Sequence, residues 1–192
     1  MAELLALSGV PADVLPDLNE ASVQIRQMVS LTEPDVLLED GQPVGLPGWD
    51  LDIIWTPGHS PGHICLYSDS RKLLLSGDHV LPRITPNISV QRGAPPDPLG
   101  DYLASLARTR DLDVDEVLPA HEWRFDDLRA RTAELRRHHD HRLEEVVTAI
   151  REGYTTAWEI TPRMTWSRPW DDVDKFTRRA AIGEAMAMRV PA

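Results

Sequence analysis

The sequence predicts a mixed α/β chain, and three observations predict it. Between positions 36 and 118 short apolar runs of strand length are broken by Gly and Pro. Segments with helical apolar spacing lie ahead of these runs and between them, and a long charged stretch of helical length follows.

Taken in order, residues 1–7 read as a helix that stops at Gly9-Val10-Pro11. A second helix follows, capped by Asp13 or Asp17, with Leu18, Val23, Ile25 and Met28 on partly helical spacing before Pro34 ends it. Strands are expected at 36–38, 51–55, 64–67, 73–75 and 114–118, with Ser68-Asp69-Ser70 turning between the third and the fourth. Alternation puts Leu51, Ile53 and Trp55 on one side of their strand and Asp52 and Ile54 on the other. The run 73–75 reads as buried on both faces. Residues 81–98 contain Pro82, Pro86, Pro95, Pro96 and Pro98 and are expected to be irregular. A segment of that length starting beside Asp78 is a candidate substrate-facing wall. Residues 97–110 form the next helix, with Leu99, Tyr102, Leu103 and Leu106 on one face. A long helix or helix pair over 126–151 stops at Gly153. Shorter helices follow at 155–160 and 172–188, and Trp158, Trp166 and Trp170 are expected to form their core.

At 192 residues, 42% hydrophobic and 27% charged, the chain is long enough for one domain and a small appendage. No window is apolar over a membrane-spanning length, and no membrane partner is expected. The apolar start at 1–9 carries Glu3 and no basic flank, which excludes a secretory signal there. Cys65, the single cysteine, lies in an apolar run and reads as a buried strand thiol, so the expected compartment is the cytoplasm. A net charge of −11 argues against nucleic acid, which needs a basic surface. Arg124, Arg129, Arg131, Arg136, Arg137 and Arg142 alternate with acidic residues and read as a solvated helix face. His139 and His141, two apart, face different directions on a helix, and His138 and His141, three apart with Asp140 between them, read as part of a solvated face.

The chemistry concentrates in three loops, each after an apolar run. They are Thr56-Pro57-Gly58-His59-Ser60-Pro61-Gly62-His63, Ser76-Gly77-Asp78-His79 and Leu118-Pro119-Ala120-His121. Imidazole and carboxylate groups on such loops suit borderline cations such as Zn²⁺, and Gly and Pro let the backbone turn sharply at the ligand. Together these loops resemble the motifs of the metallo-β-lactamase superfamily, the hydrolases that include glyoxalase II. The resemblance covers residues 34–153 and, more loosely, the rest. It implies that His59 binds one zinc, that His121 binds a second, and that Asp78 bridges the two. His63 corresponds to a histidine that packs or orients ligands, and His79 lies outside the metal set. Ala120 stands where the family usually has Gly. The family's His-x-His-x-Asp-His motif, which supplies the remaining ligands, is absent. Each implied position then keeps two ligands, short of the three protein ligands plus water of a catalytic zinc site.

The resemblance thus implies the C-terminal half of an αββα sandwich over residues 1–124, then a long helix and a winged-helix-like appendage over 125–192. On that reading Met1 falls inside the fold and both ends look cut. Two functions are compatible with it. The chain is the C-terminal portion, or a degenerate and metal-deficient relative, of a zinc-dependent hydrolase of esters, thioesters or lactams. Alternatively it is a non-catalytic scaffold acting by self-association or partner binding, since half a sandwich leaves an apolar sheet face and open strand edges. The expected partners are a small-molecule substrate and either a missing N-terminal half or a second copy.

Overall fold

The computed structural model describes residues 2–20, 32–90 and 95–188. Its helices are α1 (Ala2–Leu7), α2 (residues 15–20 of it described), α3 (Pro98–Thr109), α4 (Leu128–Arg151), α5 (Ala157–Ile160) and α6 (Lys175–Ala187). Its strands are β1 (Asp52–Trp55), β2 (Ile64–Ser68), β3 (Leu73–Gly77) and β4 (Glu116–Pro119). The contacts form two units, each drawn from segments distant in sequence. One comprises Pro34–Ile88 and Pro95–His139, the other Met1–Glu33, Ser89–Ala94 and Asp140–Ala192.

The first unit holds the sheet, in the order β1-β2-β3-β4, antiparallel except for the parallel β3/β4 pair. A parallel pair needs a crossover, and α3 lies on it. Asp97 caps α3 by accepting the Gly100 N–H, and Pro98 occupies the first turn, where no N–H is needed. Register pairs Ile53 with Leu66, Leu66 with Leu75 and Leu75 with Leu118, so these four share a face. Cys65, Leu74 and Val117 lie on the opposite face and are fully buried, whereas Leu66, Leu75 and Leu118 are half-buried.

Several sequence expectations are corrected here. Residues 36–38 are not a strand; Val36 and Leu37 are exposed, because β propensity without a pairing partner does not make a strand. The chain at 41–44 runs beside β1 instead, through Gly41 N–H to the Ile53 carbonyl, Ile53 N–H to Gln42 and Val44 N–H to Leu51. Phe125 bonds in the same way to Val117 of β4. Each outer strand therefore has a backbone partner along part of its length. The expected alternation in β1 also breaks, since Ile53 and Ile54 are both buried while Trp55 is 47% exposed. Trp55 turns outward and donates its indole N–H to the Pro61 carbonyl. Of the run 73–75, Leu74 alone is fully buried.

In the second unit Leu5, Val10, Leu18 and Ile182 form a core, with Trp158 and Met186 against it. Thr156 and Glu159 cap α5 reciprocally, and Asp174 caps α6. Trp166 and Trp170 are half-buried and stack under cations, Arg142 over Trp166 and Arg178 over Trp170, so they are platforms more than core. The rest of the expected second helix, with Val23, Ile25 and Met28, lies outside the described residues. Among the described residues no helix is long and apolar enough to cross a membrane.

Candidate metal centre

Because β2 is antiparallel to both neighbours and β4 is parallel to β3, the C-terminal ends of β1, β3 and β4 lie at one end of the sheet. His59, Asp78 and His121 follow those three ends. Local chemistry holds the loops there. Gly58 adopts φ +133 and passes so close to α3 that an added Cβ would lie 2.4 Å from the Cβ of Tyr102. Ser105 of α3 donates to the Pro57 carbonyl and Tyr102 to the His79 carbonyl, at 2.9 and 3.0 Å. Gly77, at φ +53, makes the turn into Asp78, and its carbonyl accepts the Ala120 N–H at 2.9 Å, which seats the third loop against the second.

The three expected ligands come together. Asp78 places Oδ2 3.6 Å from His59 Nε2 and Oδ1 3.2 Å from His121 Nε2. His59 Nδ1 lies 3.0 Å from the Asn87 carbonyl. A carbonyl can only accept, so Nδ1 carries a proton and Nε2 is the nitrogen turned toward the carboxylate. A proton or a cation between Nε2 and the carboxylate would suit both. All three side chains reach solvent, at 32% exposure for His59, 28% for Asp78 and 62% for His121.

Behind this group stand two other histidines. His63 accepts the Asp78 N–H on Nε2 at 3.0 Å, and its Nδ1 lies 2.7 Å from the Thr56 hydroxyl. A backbone N–H can only donate, so in His63 the proton sits on Nδ1 and goes to Thr56. Burial lowers the pKa of His63, helped by His59 and opposed by Asp78. His79 is fully buried, with Nε2 3.1 Å from Thr109 Oγ1 and its ring edge-on to Tyr102. Burial first, then His63, pushes its pKa down to about 3, so it stays neutral. Cys65 is pushed up to about 12 by burial and is no nucleophile.

Donor kinds and donor number give different answers about a metal. Imidazole Nε2 and carboxylate oxygens are what zinc takes. Yet among the described residues no three His, Cys, Asp or Glu side chains converge to hold an ion. His59 with Asp78, and Asp78 with His121, are pairs.

Sequence reasoning missed Asn87 and Thr56. Thr56 stood within the first motif, and a hydroxyl seven positions before a histidine gave no hint that the turn would bring them together. Nothing marks Asn87, because it acts through a carbonyl that every residue has. His139, given no role from the sequence, is 1% exposed and packs edge-on against Tyr102.

Comparison with known proteins agrees with this picture. Residues 8–121 match the family model described as the metallo-beta-lactamase superfamily. Lactamase-like protein adaB of Aspergillus niger is 31% identical over 139 residues, which is 71% of this chain and 41% of that protein. Acyl-coenzyme A thioesterase MBLAC2 of Homo sapiens is 34% identical over 97 residues, 48% of this chain and 33% of that protein. A metallo-beta-lactamase family protein from Thermus thermophilus superposes at TM-score 0.81 with 31% identity, covering 97% of this chain and 56% of the other. A beta-lactamase domain protein from Burkholderia ambifaria superposes at TM-score 0.71 with 37% identity, covering 83% and 46%. The chain spans about half the length of these relatives or less, and the mixed α/β architecture expected from the sequence is the one shared with the two structures. With the family match running through all three loops, and those loops meeting at one end of the sheet, this chain belongs to the metallo-β-lactamase superfamily.

Proposed function

We propose that the chain carries part of the metal centre of a zinc-dependent hydrolase of esters, thioesters or lactams. His59 and His121 serve different ions and Asp78 serves both. The observation that supports this is the Asp78 carboxylate set between two imidazole Nε2 atoms, at 3.6 and 3.2 Å. The donors fit zinc in kind and fall short in number, so no hydrolytic step is assigned to these residues. Their work is to aim His59 through Asn87 and to hold the Asp78 backbone through His63. That one relative is named an acyl-coenzyme A thioesterase favours thioesters among the three substrate classes. Relatives of about twice this length favour a further half of the fold as the source of the missing donors, ahead of a second copy of this chain. The single, buried Cys65 supports a cytoplasmic location. The element order of α5 and α6 supports a winged-helix-like appendage.

The shortage of donors also favours the second reading, a non-catalytic scaffold. Exposed Trp55 and half-buried Leu66, Leu75 and Leu118 give that reading its surface.

Zinc titration calorimetry on the full chain and on His59→Ala, Asp78→Ala and His121→Ala variants tests the site. Weak binding that each substitution reduces about tenfold or more is expected. Binding unaffected by all three substitutions rejects the assignment, and two equivalents retained after dialysis against a mild chelator reject the shortage of donors. A thioester assay separates the readings. The chain alone is expected to be no faster than a His59→Ala/Asp78→Ala double variant, and a metal-dependent rate lost in that variant would make the chain a complete enzyme.

A further inference from the structure

The segment after Asp78 has no ladder of backbone hydrogen bonds to shape it, so its polar groups must find other partners. Two side chains supply them with opposite polarity. Arg131 of α4 donates Nε to the Leu81 carbonyl at 2.7 Å and Nη2 to the Arg83 and Ile84 carbonyls, both at 2.9 Å. Glu134 holds its remaining nitrogen, Nη1, at 3.0 Å. Glu122, directly after His121, accepts the Arg83 N–H at 3.1 Å and the Ile84 N–H at 3.2 Å on one carboxylate oxygen. The backbone of Glu122 is left-handed, at φ +71, a conformation uncommon for a side chain of this kind.

Both ends of the clamped stretch are anchored as well. Leu81 and Ile88 are buried, at 2% and 0% exposure. Between the clamp at 83–84 and the anchor at Ile88 lies Asn87, whose carbonyl receives the His59 Nδ1–H. The guanidinium fork matters here, because it reaches three carbonyls from a fixed plane, which an ammonium cannot do.

We propose that Arg131 and Glu122 are positioning residues for the His59, Asp78 and His121 group. They fix the path of residues 81–87 and thereby the Asn87 carbonyl that selects the tautomer of His59. Glu122 also ties this path to the loop of His121, so one clamp spans the segments behind both outer histidines. The inference rests on the site assignment above and is independent of zinc and of hydrolysis.

The test is a long-range proton–nitrogen correlation spectrum of the imidazoles in the labelled, metal-free full chain. It is recorded near pH 8, roughly 1.5 units above the ordinary histidine range. In the parent chain His59 should show the Nδ1–H tautomer. In Arg131→Ala its signals should shift toward the Nε2–H form that free imidazole side chains favour, while buried His79 keeps its signals. Arg131→Lys should fall between the two, and Arg129→Ala, which removes a surface partner of Asp111, should leave His59 unchanged. A His59 that stays Nδ1–H in a folded Arg131→Ala overturns the proposal. Should that variant not fold, Glu122→Ala carries the test, with the same shift expected and an unshifted His59 overturning it. Because no metal is present, failure of the hydrolase reading in the zinc titration leaves this result standing, and the reverse also holds.

Discussion

His59 and His121 stand on the solvent side of Asp78, His63 and His79 on the protein side, and the four do different work although the same motifs carry them. The outer pair presents Nε2 toward the carboxylate and is partly or largely exposed. The inner pair is half-buried or fully buried, and His63 spends Nε2 on the backbone of Asp78. What the comparison teaches is that an imidazole's role follows from the partner of its other nitrogen. A carbonyl on Nδ1 frees Nε2 for a cation, whereas a backbone N–H on Nε2 turns the same ring into a brace.

The largest expected effect breaks both pairs at once. Ala at Gly58 would combine φ +133 with a Cβ 2.6 Å from the Tyr102 Cα, a backbone atom that cannot step aside. Gly58→Ala should cost about 3 kcal/mol or more in urea unfolding. A variant as stable as the parent would show that the turn is not held against α3 as described.

Next comes the direct contrast between inner and outer rings. His79→Ala empties a fully buried position and should cost about 2–4 kcal/mol. His121→Ala removes a ring that is 62% exposed and should stay within about 0.5 kcal/mol of the parent. Equal losses in the two unfolding curves would erase the distinction.

A smaller effect sharpens the role of His63. Thr56→Val keeps the shape but leaves His63 Nδ1–H without its buried acceptor, and it should cost about 1–2 kcal/mol. The His63 signals should move in the imidazole spectrum while those of His121 do not.

The smallest effect concerns the dryness of the inner side. Cys65 is fully buried, and burial pushes its thiol up to about 12. Attack needs thiolate, so a thiol reagent at about pH 8 should leave the native chain unmodified and label it in urea. The native rate should climb as pH rises toward that value. Fast labelling at neutral pH would mean that solvent reaches the protein side of Asp78.

Much of this architecture was legible before any coordinates. Short apolar runs bounded by Gly and Pro located β1 to β4, and Asp97, Gly153 and the helical spacing between them located α3 and α4, because each of these signals is local. What was misread was decided by partners. Residues 36–38 have strand composition and no partner strand among the described residues. Arg142 was read as solvated from its polarity, yet it continues a stripe. Leu128, Thr132, Leu135, His139, Arg142, Val146 and Ala149 are all buried and recur three or four positions apart along α4. The spacing was present in the sequence, and polarity hid it. Arg142 is tolerated inside because Glu145, Glu184, the Thr165 carbonyl and the Trp166 ring take up its charge and its hydrogen bonds.

By itself the sequence determined the family, the positions of its turns and the three side chains that meet, because these depend on residue type and spacing within short segments. The tertiary structure alone decided which nitrogen of His59 and of His63 is engaged, and whether the ring is a candidate ligand or a brace. The partners responsible are the Asn87 carbonyl, the Asp78 N–H and the Thr56 hydroxyl, and they arrive from other turns and strands. Backbone carbonyls and N–H groups are nearly the same at every position, so no residue letter can announce where they will point.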